Sequence, residues 1–213
     1  MEQKSEHFVL EAETINGQTD RLVERIKELA EILVLSYAVV ETDFARKKPE
    51  EVANDFMLKS LVGLLDQNGE EVDWNSFQKK VEGVLREFFI NMDWKKYSNP
   101  LDLNIFVIAK DSVNGKPVGV IQFIISPEHE ENSVKAALYG VLPEMQNCGL
   151  EKMLMSSIFR LRPDTKRIFL HTRSTNQQAI SDYENWGFTK FEGKLPNWTD
   201  LEYLAEKSDL LQR

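Results

Sequence analysis

Apolar positions recur at every third or fourth residue through roughly the first ninety residues, then cluster in alternating or unbroken runs after residue 100. Residues 7–13 alternate, with Phe8, Leu10 and Ala12 against Val9 and Glu11, which predicts a first strand closed by an Asn16-Gly17 turn. Thr19-Asp20 caps a helix whose stripe is Leu22, Ile26, Leu29, Leu33 and Tyr37. Pro49-Glu50-Glu51 opens a second helix, the proline in its first turn and the acids at its positive end. Its apolar face is Val52, Phe56, Met57, Leu61 and Leu64, and Asn68-Gly69 stops it. Asp73 caps a third helix carrying Trp74, Phe77, Val81, Val84, Leu85, Phe88 and Met92.

The texture changes after Ser98-Asn99-Pro100. Residues 104–110 and 118–125 are rich in Ile, Val and Phe and are joined by Asn114-Gly115-Lys116-Pro117, which predicts a hairpin. A strand over 133–142 ends at Pro143. A helix follows over 149–161 with Leu150, Met153, Leu154, Ile158 and Leu161 inside. Then come a strand (167–172), a helix (175–186), a strand (188–192) and a last strand (201–207). This order predicts a mixed α/β (α+β) fold around a largely antiparallel sheet with one strand-helix-strand crossover. No linker-like stretch separates the helical part (19–97) from the sheet part (104–207), so the expectation is one enlarged domain over 1–213. An exposed edge at 201–207 offers a surface for subunit pairing, leaving monomer or homodimer open.

Composition narrows the function classes. The apolar fraction of 42% and charged fraction of 29% are those of a soluble globular protein, and no apolar run approaches a membrane span. The polar N-terminus does not resemble a secretory signal, and a single cysteine allows no internal disulfide, so the expected compartment is cytoplasmic. A net charge of −9 argues against nucleic acid and is compatible with a cationic amine or basic peptide as partner. His7, His129 and His171 are scattered without metal-site spacing, so no metal is expected. The acids Glu41, Asp43, Glu50 and Glu51 read as solvated surface.

Two segments carry chemistry. In Gln146-Asn147-Cys148-Gly149, a helix starting near Gly149 presents free backbone N–H groups and a partial positive charge, an anion cradle that glycine opens to a phosphate. Taken alone it reads as an ordinary strand-to-helix turn. Downstream, Ser174 and Gln177 have capping-box spacing, which puts Asn176 in the first turn and Tyr183 two turns along the same face. A tyrosine hydroxyl there can donate a proton. Ile180 and Trp186 need no role beyond the buried stripe.

Asn176, Ala179-Ile180, Tyr183-Glu184 and Gly187-Phe188 together resemble a signature of the GNAT (Gcn5-related) N-acetyltransferases, and Gln146 to Gly149 is similar to that family's acyl-CoA loop. The resemblance covers roughly 104–207, and by position the helical part resembles a substrate-binding lip. It implies that the strands ending at Val141 and Thr172 splay apart to admit acetyl-CoA as acyl donor. The pyrophosphate would then meet backbone N–H groups of Gln146, Asn147, Cys148, Gly149 and Leu150. Backbone groups of Tyr139, Gly140 and Val141 would polarise the thioester carbonyl, Asn176 would contact the pantetheine arm or order a water, and Tyr183 would protonate the CoA thiolate. An amine, small or on a protein, would attack directly.

The chain departs from that pattern twice. Glu151 stands where the family has a small residue, and its carboxylate points either into the loop or to solvent. The strand over 134–142 holds no acid to act as base, which leaves Glu144 and His171 as the nearest candidates. These departures support an alternative, an inactive CoA-binding or protein-interaction module.

Overall fold

The computed structural model describes residues 8–16, 20–55, 57–65, 71–94, 99–192, 196–206 and 211. His7, Gly17, Thr19, Phe56, Asn68, Gly69, Ser98 and Lys207, each part of an expectation above, lie outside them. Strand β1 (Phe8–Asn16) pairs with β2 (Leu103–Asp111), and β2 forms the expected hairpin with β3 (Pro117–Ile125). Next come β4 (Ser133–Val141), β5 (Arg167–Arg173), β6 (Thr189–Phe191) and β7 (Trp198–Leu204). The sheet order is β1-β2-β3-β4-β5-β7-β6, antiparallel except between β4 and β5. That single parallel pair follows from the crossover through α3 (Leu150–Ser156) and α4 (Ile158–Leu161).

Each face of the sheet has its own core. Helix α1 (Asp20–Lys47) lays Leu22, Ile26, Leu29 and Leu33 against Phe106, Ile108 and Val120, joined by Phe77, Val81 and Leu85 of α2 (Trp74–Asn91). Asp73 caps α2 as its sequence predicts, its carboxylate accepting the N–H groups of Asn75 and Ser76. On the other face Leu150, Leu154 and Ile158 pack with Tyr183 of α5 (Gln177–Asn185) against Ile121, Phe123, Val134 and Ile168. Strands β2 and β3 are therefore apolar on both sides, which explains their unbroken runs.

Three expectations need correction. The second helix is absent; two 3-10 turns, Pro49–Asn54 and Lys59–Leu64, replace it. Asp55 between them leaves helical geometry and accepts the N–H groups of Met57 and Leu58, while its other oxygen pairs with Arg173. The helix over 149–161 is broken at buried Ser157, whose hydroxyl donates to the Leu154 carbonyl at 2.6 Å. The last strand begins at Trp198 and runs between β5 and β6, which covers its outer edge from Asp200 to Glu202. Among the described residues no helix is long and apolar enough to cross a membrane.

Candidate active site

Strands β4 and β5 pair only from Ser133–Arg167 to Lys135–Phe169. Beyond that point they separate, although both continue, to Val141 and Arg173. A β-bulge drives the separation: Ile121 pairs with Tyr139 but Phe123 with Ala136, so Ala137 and Leu138 together face Gln122. The extra residue bends β4 away from β5. Gly140 lets α1 follow the bend, since a Cβ there would stand 3.0 Å from that of Ser36. The result is a cleft of about 430 Å³ floored by the diverging strands and walled by α1 and α5.

The loop after β4 forms one rim. Asn147 (φ 59°) and Gly149 (φ 85°) both adopt left-handed conformations, and no atom lies within 4 Å of where a Gly149 Cβ would be. Gln146, Asn147 and Glu151 line the cleft. Cys148, Gly149 and Leu150 do not: the Cys148 thiol donates to the Met145 carbonyl at 2.8 Å, and Leu150 is buried in the core. Glu151 points into the loop, its carboxylate accepting the Asn147 N–H at 2.9 Å. It thus occupies one of the N–H groups that a phosphate would need. Gln146 donates its amide to the Val141 carbonyl at 3.4 Å.

Asn176, not Ser174, caps α5. Its side-chain oxygen accepts the Ala179 N–H at 3.3 Å and its amide donates to the Thr172 hydroxyl at 3.4 Å. The expected capping box does not form, because Gln177 donates instead to the Ser174 carbonyl at 2.6 Å. Two turns on, Tyr183 lines the cleft against the rings of Trp186 and Phe188. Burial pushes its hydroxyl well above the ordinary phenol range, so it stays protonated. Tyr139 is a second such phenol. Its hydroxyl is buried with no partner among the described residues, and burial raises it too. The Tyr139 backbone N–H donates to the Tyr37 hydroxyl at 3.4 Å, bringing α1 into the site. Tyr37 was legible only as a stripe residue, and Tyr139 only for its backbone.

Across the gap, His171 is exposed to the cleft and stands edge-on to Trp198 at 5.2 Å. Desolvation first, then the Lys135 charge, lower its pKa, so the free imidazole prevails at neutral pH. Glu144, the other candidate base, is exposed outside the cleft. Beside His171 the Arg173 guanidinium, 2% exposed, donates to Glu41 (2.7 and 3.1 Å) and Asp55 (2.7 Å) between the Phe44 and Trp198 rings. Glu41 is therefore fully buried rather than solvated, and burial raises its carboxyl against the pull of Arg173. A signal existed: the α1 stripe continued four residues past Tyr37 lands on Glu41. Lys48 bonds Glu51 and Asn197, and Lys47 bonds the Thr175 carbonyl, tying the segment after α1 to this end of the sheet.

No curated protein sequence matches the chain. Among solved structures, PaiA N-acetyltransferase from Thermoplasma acidophilum, in complex with coenzyme A, superimposes with a TM-score of 0.51 at 13% identity, over 92% of this chain and 99% of that one. A spermidine N-acetyltransferase from Vibrio cholerae, in complex with CoA and spermine, gives a TM-score of 0.47 at 12% identity, over 95% and 98%. The first likeness places the architecture among GNAT folds. The family model described as "Acetyltransferase (GNAT) family" matches residues 70–188, more than half of the sequence, and the chain belongs to that family.

Proposed function

We propose that the protein transfers an acetyl group from acetyl-CoA to an amine by direct attack. The observation that carries this reading is the divergence of β4 and β5 beyond Lys135 and Phe169. It leaves the backbone of Ala136–Val141 unpaired on the β5 side, open to an extended thioester arm. When bound, acetyl-CoA supplies an activated acyl group. The Val141 backbone N–H, on the side of β4 that faces the gap, stabilises the oxyanion that develops on the carbonyl, whereas the Tyr139 N–H is held by the Tyr37 hydroxyl and Gly140 turns its own toward Val120 of β3. Asn176, rigid as an N-cap, borders the arm. Gln146 and Asn147, the loop residues that line the cleft beside Glu151, meet the phosphates. His171 accepts the proton of the incoming amine, and its neutral form at pH 7 suits that task.

Tyr183 lies where the sulfur departs. Its pKa stands above that of a thiol, so a hydrogen bond to the developing thiolate, not a completed proton transfer, is its contribution at the barrier. Holding amine and thioester together in the cleft supplies much of the remaining acceleration. Replacement Tyr183→Phe tests the assignment: kcat falls roughly ten- to a hundredfold while CoA affinity by calorimetry stays near wild type. An unchanged kcat refutes the role.

Glu151 seated on the phosphate loop favours a second reading, a GNAT-fold module that binds CoA poorly and works through its helical part. Absence of binding heat at high micromolar CoA selects that reading over the enzyme.

A further inference from the structure

The charged groups of the cleft differ in what they already hold. Glu41 is taken by Arg173, Glu151 by the Asn147 N–H and Asp182 by the Gln178 amide. Arg173 is spent on Glu41 and Asp55. Lys135 is different. It lines the cleft at the last β4–β5 pair, and its side chain makes no hydrogen bond or ion pair among the described residues; Asp102 and Asp200 act on it only through space.

Strand geometry fixes the neighbours of this ammonium. Val134 and Ala136 enter the core under α3, so Lys135 points to the opposite face of the sheet. Ile168, Leu170, Leu201 and Tyr203 enter that same core, which sends His171, Trp198 and Asp200 to the face of Lys135. His171 and Asp200 are direct cross-strand partners, with Cβ atoms about 5 Å apart in such pairs. The Asp200 carboxylate likewise makes no side-chain bond among the described residues. One face therefore presents, over three adjacent strands, an uncommitted cation on β4, an imidazole with an indole beside it on β5 and β7, and an uncommitted carboxylate on β7.

We propose that the acceptor is an amine that also carries a carboxylate, an amino-acid-like zwitterion: Lys135 binds its carboxylate, and His171 with Asp200 receives its amine. The inference rests on the acetyl-transfer reading and specifies its substrate class. A half-buried cation without a hydrogen-bonded partner is costly unless a ligand completes it, and a carboxylate can do so where a purely cationic polyamine cannot. Desolvation also lowers the Lys135 pKa, as expected for a site that awaits an anion. The covalent step is unchanged. The amine nitrogen bonds to the thioester carbon, the C–S bond breaks, the sulfur leaves as thiolate, and the amine proton passes to His171.

The test is thiol release from acetyl-CoA with matched acceptors, each amino acid beside its decarboxylated amine, together with spermidine. Wild type, Lys135→Met and Lys135→Arg are compared, with CoA calorimetry on all three to establish that each variant folds and loads. The expected result is at least a tenfold higher kcat/KM for the carboxylated member of an accepted pair. In Lys135→Met that ratio drops roughly ten- to a hundredfold, the range set by one charge-assisted hydrogen bond, and Lys135→Arg restores most of it. The proposal is overturned if decarboxylated amines serve equally well or better throughout. It is equally overturned if Lys135→Met leaves the ratio unmoved, or if CoA binds yet no carboxylated amine reacts. Absence of CoA binding defeats the acetyl-transfer reading itself, and this inference with it.

Discussion

Replacing Glu151 by Gln should tighten CoA binding. The Glu151 carboxylate accepts the Asn147 N–H at 2.9 Å, on the loop that would hold the pyrophosphate. Phosphate oxygens seated on neighbouring N–H groups come within about 5 Å of it. One pair of like charges at that distance repels by ~0.8 kcal/mol in a water-like dielectric and by ~3 kcal/mol near a protein surface. The pyrophosphate carries about two such charges, and physiological salt screens part of their effect. The net penalty is then on the order of 1–3 kcal/mol, roughly a fivefold to 150-fold loss of affinity in the wild type.

Glutamine keeps an oxygen for the Asn147 N–H and removes only the charge, so Glu151→Gln isolates the electrostatic part. Calorimetric titration with CoA reads the gain. Pantetheine, which has no phosphates, serves as control and should gain nothing. Added salt should improve wild-type affinity relative to the variant, because screening weakens a repulsion that the variant lacks. If Glu151→Gln binds CoA no tighter than wild type, or pantetheine gains as much as CoA, the carboxylate does not oppose the phosphates and the reasoning fails.

Arg173→Met leaves Glu41 and Asp55 without their shared cation and should cost about 3–5 kcal/mol in urea unfolding, whereas Glu41→Gln, which leaves the Arg173–Asp55 pair intact, should cost clearly less. Equal costs would mean that the two carboxylates do not share the guanidinium. Gly140→Ala should destabilise by about 1–3 kcal/mol by pushing Ser36 off β4, and adding Ser36→Gly should recover much of it; additive losses would place the strain elsewhere. Because desolvation holds the His171 pKa below its ordinary 6.5, the acid limb of kcat/KM should have its midpoint below pH 6.5. The same shift acts on stability. The unfolded chain takes up the proton first, so the contribution is complete above about pH 6.5 and is lost as pH falls toward the folded pKa, with His129 acting in the same direction. A kcat/KM limb that stays in place in His171→Asn assigns it to another group.

Regular elements announced themselves where one physical cause ruled. Burial on both faces makes β2 and β3 continuous apolar runs, and a stripe against one core makes α1 and α2 periodic. The failure at Pro49–Leu64 has a non-local cause. Val52, Met57, Leu61 and Leu64 do have helical spacing, but Asp55 is claimed by Arg173, 118 positions away, and by the two N–H groups that follow it. No local window weighs an ion pair formed across the fold. The miscalled capping box failed for a smaller reason: Asn176 and Ser174 both make good caps, and the contact to Thr172 on β5 decides between them.

The same division explains why the loop and α5 side of the cleft reads more easily than the α1 side. The loop over 146–151 and the helix over 176–183 each concentrate their chemistry in a few consecutive residues, where spacing alone signals it. The opposite wall draws Tyr37 and Glu41 from α1, Lys135 from β4, His171 and Arg173 from β5, and Trp198 from β7. Each of these looks ordinary in its own window. What brings them together is the bulge opposite Gln122, which parts β4 from β5 just after Lys135. A one-residue slip of the segment Ser133–Ala136 against β3 and β5 would reverse the facing of Lys135 and turn it under α3, so the register of this segment governs the charge that stands beside the gap.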